Sequence, residues 1–161
     1  MLRLDAITVC YGKMPALREI SLEVRAGELV TLIDANGAGK TTTLKAISGL
    51  LPLTSGSIVF EGAPIGNAKP RDVLACGIAH CPEGRRVFPE LTVRENLAMG
   101  AYLRRDEAGV AVLLVEHHMN LVMRVSDQVI ALDFGRMIAN GKPHEVRANR
   151  EVVRAYLGSA D

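Results

Sequence analysis

The chain has 161 residues and a mass of 17.3 kDa, enough to bury a core without disulfide or metal staples. With 48% hydrophobic and 23% charged residues, wholesale disorder is excluded. Nineteen basic against 18 acidic side chains leave a net charge of +1, which argues against a nucleic-acid or anionic-membrane binder with its basic excess.

The longest uninterrupted apolar run, Val110 to Val115, falls far short of the roughly 20 residues that span a bilayer. Met1 to Asp5 contains no apolar stretch of the secretory kind, so a soluble cytoplasmic protein is expected. Cys10, Cys76 and Cys81 form no CxxC pair and are expected as buried reduced thiols.

In chain order, the opening reads as strands. Leu2, Leu4 and Ile7 are followed by clean alternation at Ile20, Leu22 and Val24. After the Ala26-Gly27 turn, Leu29 to Ile33 is continuously apolar, as in a strand buried on both faces. A glycine-rich loop from Asp34 to Gly39 leads into a helix from Lys40 to Leu50, which Pro52 stops. Ser57 to Phe60 is a short strand, Glu61-Gly62 a turn, Pro70 to Ala75 a short helix, and Gly77 to Cys81 another strand.

Thr92 to Glu95 is a capping box opening a helix through about Arg105. Asp106 to Gly109 reads as a turn, Val110 to Val115 as a second buried strand, and His117 to Met123 as a helix. Val129–Leu132 and Met137–Ala139 form a hairpin around Asp133-Phe134-Gly135, and a helical tail begins at Lys142-Pro143. Buried strands interleaved with helices predict an α/β layered domain with an N-terminal antiparallel subsheet.

Gly37-Ala38-Gly39-Lys40-Thr41-Thr42, preceded by Asn36, joins a buried strand to a helix. That context gives a phosphate loop. Glycines let consecutive N–H groups curl round a phosphate, and the helix N-terminus adds its positive dipole end. Lys40 is positioned to bridge β- and γ-phosphates, and Thr41 to offer its hydroxyl to Mg²⁺. The pattern G-x-x-x-x-G-K-[ST] asks for glycine at position 34, where this chain has Asp34. A carboxylate ~5 Å from a phosphate charge, at an effective dielectric of ~20, repels by about 3 kcal/mol, so impaired nucleotide binding is expected.

Further markers follow in order: Tyr11-Gly12, Cys81-Pro82-Glu83-Gly84-Arg85-Arg86-Val87-Phe88-Pro89, Leu91 to Leu97, and Leu114-Val115-Glu116-His117. With the phosphate loop, this set resembles the ATP-binding subunits of ABC transporters, most closely those of bacterial branched-chain amino acid importers. The resemblance covers nearly the whole chain, residues 1–105 as the N-terminal part and 110–161 as the C-terminal part, joined near 106–109. It implies a P-loop NTPase core with an N-terminal antiparallel subsheet and a helical subdomain largely absent.

The same resemblance implies ATP and Mg²⁺ as cofactors. Tyr11 is then expected to stack on adenine, Glu83 to stand in the glutamine loop that senses Mg²⁺, and His117 to be the switch histidine on the γ-phosphate. Asn36, Gly37, Ala38, Gly39, Lys40, Thr41 and Thr42 would bind the nucleotide. Thr41 and Glu83 would serve the metal, and Glu83 and His117 catalysis. The implied partners are membrane permease subunits, a second ATPase subunit and, indirectly, a periplasmic amino-acid-binding protein. The implied location is peripheral, on the inner face of the plasma membrane. No nucleic-acid partner is implied.

The resemblance breaks at Gly109. The Leu-Ser-Gly-Gly-Gln-type signature, the apolar strand ending in Asp-Glu and the dimer loop that follows do not occur in the sequence. A homodimer would hold two phosphate loops and no signature, and would lack the catalytic glutamate and the Mg²⁺-holding aspartate of phosphoryl transfer. Pairing with an intact subunit leaves both composite sites defective. An ATP-binding subunit, a non-catalytic nucleotide-binding or interaction module, and an inactive fragment therefore remain open. The strand at Leu29–Ile33 must also either pair directly with Val110–Val115 or leave a gap where the missing strand is expected.

Overall fold

The computed structural model describes residues 1–34, 39–81, 111–116 and 119–157. Two four-stranded sheets organise them. The first has the order β2-β1-β4-β5 and is antiparallel throughout, as expected of the N-terminal part. Its strands are β1 (Leu2–Tyr11), β2 (Met14–Val24), β4 (Ser55–Phe60) and β5 (Ala63–Pro64). The second has the order β6-β3-β7-β8, built from β3 (Leu29–Asp34), β6 (Val112–Val115), β7 (Gln128–Asp133) and β8 (Arg136–Gly141). Here β3 pairs in parallel with β6 on one side and with β7 on the other, and β8 closes the far edge as a hairpin with β7.

Period-two alternation separates two cores. Val30 and Leu32 of β3 and Ile130 and Leu132 of β7 join Leu4, Ile7, Leu17, Ile20 and Ile58 between the sheets. The helix α1 (Lys40–Ile47) contributes Ala46 and Ile47 to this cluster. On the opposite face, Ile33, Val129 and Ala131 meet Val122, Val146 and Val152. Those three come from α3 (Met119–Val125), α4 (Pro143–Ala148) and α5 (Arg150–Leu157). The β3 strand is thus covered on both faces, which is why its sequence is apolar without alternation. Its buried polar side chain Thr31 is matched with the Ser126 hydroxyl at 2.6 Å.

Four details depart from expectation. First, α1 stops at Ile47, three residues before Leu50. Gly49, at φ +69°, takes the left-handed position after the cap; its N–H bonds the Ala46 carbonyl and the Leu50 N–H the Lys45 carbonyl. This is the Schellman ending, and it acts before Pro52 is reached. Second, residues 77–81 form no strand; they follow α2 (Pro70–Ala75) as irregular backbone. A strand needs a neighbour for its ladder, and among the described residues none lies beside this segment. His80 is instead tied to the end of α1 through Nδ1 and the Ser48 hydroxyl at 3.0 Å.

Third, β6 begins at Val112 and none of its residues is fully buried; Val112 is 40% exposed. It is the edge of its sheet among the described residues, so the apolar run reflects partial cover and not burial on both faces. Direct pairing of β3 with β6, from Leu29↔Val112 to Leu32↔Val115, leaves no gap between them. Fourth, Cys76 and Cys81 are exposed and Cys10 half-buried, so the expected burial of the three cysteines is not found. The expected helix at 92–105, the turn at 106–109 and the first residues of the helix from His117 lie outside the described residues.

Candidate functional site

The parallel strands β3 and β6 end at the same edge of their sheet, the edge where α/β domains bind ligands. From β3 the chain re-enters the described residues at Gly39, which precedes α1 with φ +123° and ψ −6°. Only glycine takes that conformation without strain. Space reinforces the requirement. A side-chain carbon on Gly39 would stand 2.5 Å from Leu17 Cδ2, 3.4 Å from the Ala16 carbonyl oxygen and 3.8 Å from Gly135 Cα.

Lys40, Thr41 and Thr42 form the first turn of α1, which sets this cation and these hydroxyls directly after Gly39. The N–H groups of a first helical turn have no acceptor inside the helix and point outward with the positive end of its dipole. Thr41 is exposed, Lys40 is half-buried, and Thr42 is 8% exposed. A phosphate chain therefore fits the described part of the loop, and a divalent cation would find the Thr41 hydroxyl on the open side.

Thr43 was not singled out by the sequence pattern, yet it anchors the loop. Its N–H and its buried hydroxyl both donate to the Gly39 carbonyl, at 2.7 and 2.9 Å. Thr43→Val keeps the shape and removes one bond. It should cost about 1 kcal/mol and lower the thermal midpoint by about 2–4 °C, read by calorimetric melting; an unchanged midpoint would show the hydroxyl to be idle.

Tyr11 ends β1 and is 51% exposed, paired across the hairpin with Met14. Two residues on, Ala16 and Leu17 of β2 meet Gly39, so Tyr11 stands on the strand pair that borders the loop exit. The β7–β8 turn abuts the same spot: the Arg18 N–H donates to the Gly135 carbonyl at 2.8 Å. Sequence reading identified that turn but not its place at the loop. Asn36, Gly37, Ala38, Glu83 and His117 lie outside the described residues. The chain does reach the right edge just before position 117, since the Glu116 N–H bonds the Leu32 carbonyl at 3.4 Å.

Among the described residues no three His, Cys, Asp or Glu side chains gather as a metal site, and no helix is long and apolar enough to cross a membrane. An apolar cavity of about 170 Å³ lies elsewhere, between α3 and α5, lined by Met119, Met123, Arg147, Val152, Val153 and Tyr156 among others.

A buried parallel strand, a glycine-closed loop and a Lys-Thr-Thr helix start define a phosphate-loop α/β domain. Comparison with known proteins narrows this. The model of the family described as "ABC transporter" matches residues 17–152, and the chain belongs to that family. It is 49% identical over 102 residues to the branched-chain amino acid transport ATP-binding protein BraG of Pseudomonas aeruginosa, a match covering 63% of this chain and 44% of that protein. It is 32% identical over 154 residues to the ribose import ATP-binding protein RbsA of Yersinia pestis, covering 96% of this chain and 30% of that one.

The chain thus spans less than half the length of either relative. Against the branched-chain amino acid transport ATP-binding protein LivG of Salmonella typhimurium, identity is 23% over 251 residues, covering 99% and 98% of the two chains. With 161 residues here, at least 90 positions of that alignment have no counterpart in this chain. Among solved structures, a nucleotide-free ATP-binding cassette from an ABC transporter superposes with a TM-score of 0.79 at 18% identity, covering 99% of each chain. The fold is therefore that of the cassette core, with its N-terminal antiparallel sheet, in a short form.

Proposed function

We propose that this chain is the nucleotide-binding subunit of a branched-chain amino acid importer, in a shortened form that binds Mg-ATP. The observation that carries the reading is the loop exit: Gly39 at φ +123° delivers Lys40 and Thr41 to the start of α1, at the carboxyl edge of a parallel sheet. Gly37 to Thr42, with Asn36, would hold the phosphates, Thr41 and Glu83 the Mg²⁺, and Tyr11 the base; His117 and Glu83 would face the γ-phosphate. Bound ATP supplies the phosphoanhydride and the charge that these groups neutralise.

The solute class rests on the relatives named for branched-chain amino acids; those named for ribose and arabinose make a sugar importer the competing solute reading. Residues 1–161 are taken as one shortened cassette, 1–105 joined to 110–161 near 106–109. Permease subunits, a second cassette and, through the permeases, a periplasmic amino-acid-binding protein would be its partners at the inner membrane face. A second reading, a non-catalytic module, is favoured by one observation: neither the signature nor the Asp-Glu strand occurs in the sequence.

Titration calorimetry of the folded chain with Mg-ATP tests the first reading. Binding that Lys40→Ala abolishes, with the thermal midpoint kept, supports it, because Lys40 would place its charge on the phosphates. Absence of binding by both the unaltered chain and Asp34→Gly overturns it. Turnover rising with protein concentration would identify an ATPase, whereas binding without turnover selects the non-catalytic module.

A further inference from the structure

The turn between β7 and β8 has two central residues, Phe134 at φ +43° and Gly135 at φ +75°, flanked by the pair Asp133↔Arg136. Both are left-handed, the geometry of a type I′ turn, which favours Asn-Gly or Asp-Gly. A phenylalanine there is strained, and it gains nothing from burial, since Phe134 is 81% exposed. Strain combined with an exposed ring, at a position where asparagine would serve folding better, points to function.

The turn also sits at a particular place. Gly135 presses on Ala16 so closely that a side-chain carbon would come within 2.3 Å of the Ala16 oxygen, and it neighbours Gly39 at the loop exit. Ala16 lies two residues beyond Met14, the cross-strand partner of Tyr11. Two exposed aromatic residues, Tyr11 and Phe134, thus stand on the two hairpins that meet beside Gly39, one on each.

We propose that Phe134 is a base-contacting residue of the nucleotide site, packing its ring on the purine opposite or beside Tyr11. The inference rests on the nucleotide-binding reading above and adds to it a second aromatic contact. Ring–base stacking is worth roughly 1–3 kcal/mol in nucleic-acid complexes, so loss of the ring should weaken ATP binding about tenfold.

The test compares Mg-ATP with Mg-tripolyphosphate, which has the phosphates and no base, on the full chain and on an Asp34→Gly host. Phe134→Asn and Phe134→Gly suit the left-handed turn. They should raise the thermal midpoint by about 2–4 °C, weaken Mg-ATP about tenfold and leave tripolyphosphate unchanged, while Phe134→Tyr keeps ATP affinity. Equal weakening of both ligands would show that the turn acts on the phosphate loop and overturns a base contact. Unchanged ATP affinity, in a chain that binds ATP, overturns it as well. If neither ligand binds the Asp34→Gly host, the nucleotide-binding reading fails, and the contact with it.

Discussion

Replacing Asp34 with glycine should tighten Mg-ATP binding by about a hundredfold, measured by titration calorimetry on the folded chain. The position fixes the argument. Asp34 is the last residue of β3, with Leu132 as its Cα partner on β7, and the phosphate loop leaves the sheet immediately after it. A carboxylate at that position would meet the negative charge of a bound triphosphate, and a repulsion of about 3 kcal/mol at ~5 Å corresponds to two decades of affinity.

Two variants separate charge from backbone. Asp34→Asn removes the charge and keeps the Cβ; Asp34→Gly removes both. If charge dominates, asparagine recovers most of the gain, and the penalty in the unaltered chain shrinks as added salt screens it. If the chain's sharp exit from β3 dominates, only glycine restores affinity. Glycine at a strand end costs roughly 0.5–1 kcal/mol in chain entropy, so a slightly lower thermal midpoint should accompany the tighter binding. Equal affinity in all three chains would remove Asp34 from the account of this site.

The sequence signals that proved reliable were those in which burial and pattern agree. Leu29 to Ile33 is apolar but for Thr31 because one set of its side chains enters the core between the sheets and the other meets α3, α4 and α5. Gly39-Lys40-Thr41 was legible because its chemistry admits few substitutes. The failures have physical causes as well. An apolar run cannot report whether its strand has a neighbour, so Val112 to Val115 read as buried although it forms a sheet edge. Residues 77–81 carry strand-like composition but pair with no strand among the described residues, and strand formation is a property of pairs.

Gly49 stopped α1 ahead of the more conspicuous Pro52, since a left-handed residue closes the last turn at once. The packing of the Phe134-Gly135 turn against Ala16 was invisible for another reason. It joins residues more than a hundred positions apart, and turn chemistry is the only local trace they leave.

That packing supports the second large effect, Gly135→Ala. An added methyl group at Gly135 meets the Ala16 carbonyl oxygen at 2.3 Å and its carbon at 3.0 Å, backbone atoms of β2 and not the far end of a flexible side chain. Relief requires the β7–β8 turn to lift from β2, which breaks the bond from the Arg18 N–H to the Gly135 carbonyl. The left-handed backbone, at φ +75°, adds roughly 1 kcal/mol for any non-glycine residue.

Together, strain, clash and the lost bond should cost about 3–5 kcal/mol, a fall of roughly 10 °C in thermal midpoint for a domain of this size. Gly62→Ala is the matched control. Gly62 occupies the equivalent position of the β4–β5 turn at φ +79°, with nothing within 4 Å of an added carbon, so only the backbone term of roughly 1 kcal/mol applies. A melting experiment on the two variants therefore isolates the clash. Equal midpoints would mean that the β7–β8 turn does not rest on β2, and the link from this hairpin to the phosphate loop would be lost. A large loss at Gly135 alone fixes the turn against Ala16, and with it the Phe134 backbone, beside the exit at Gly39.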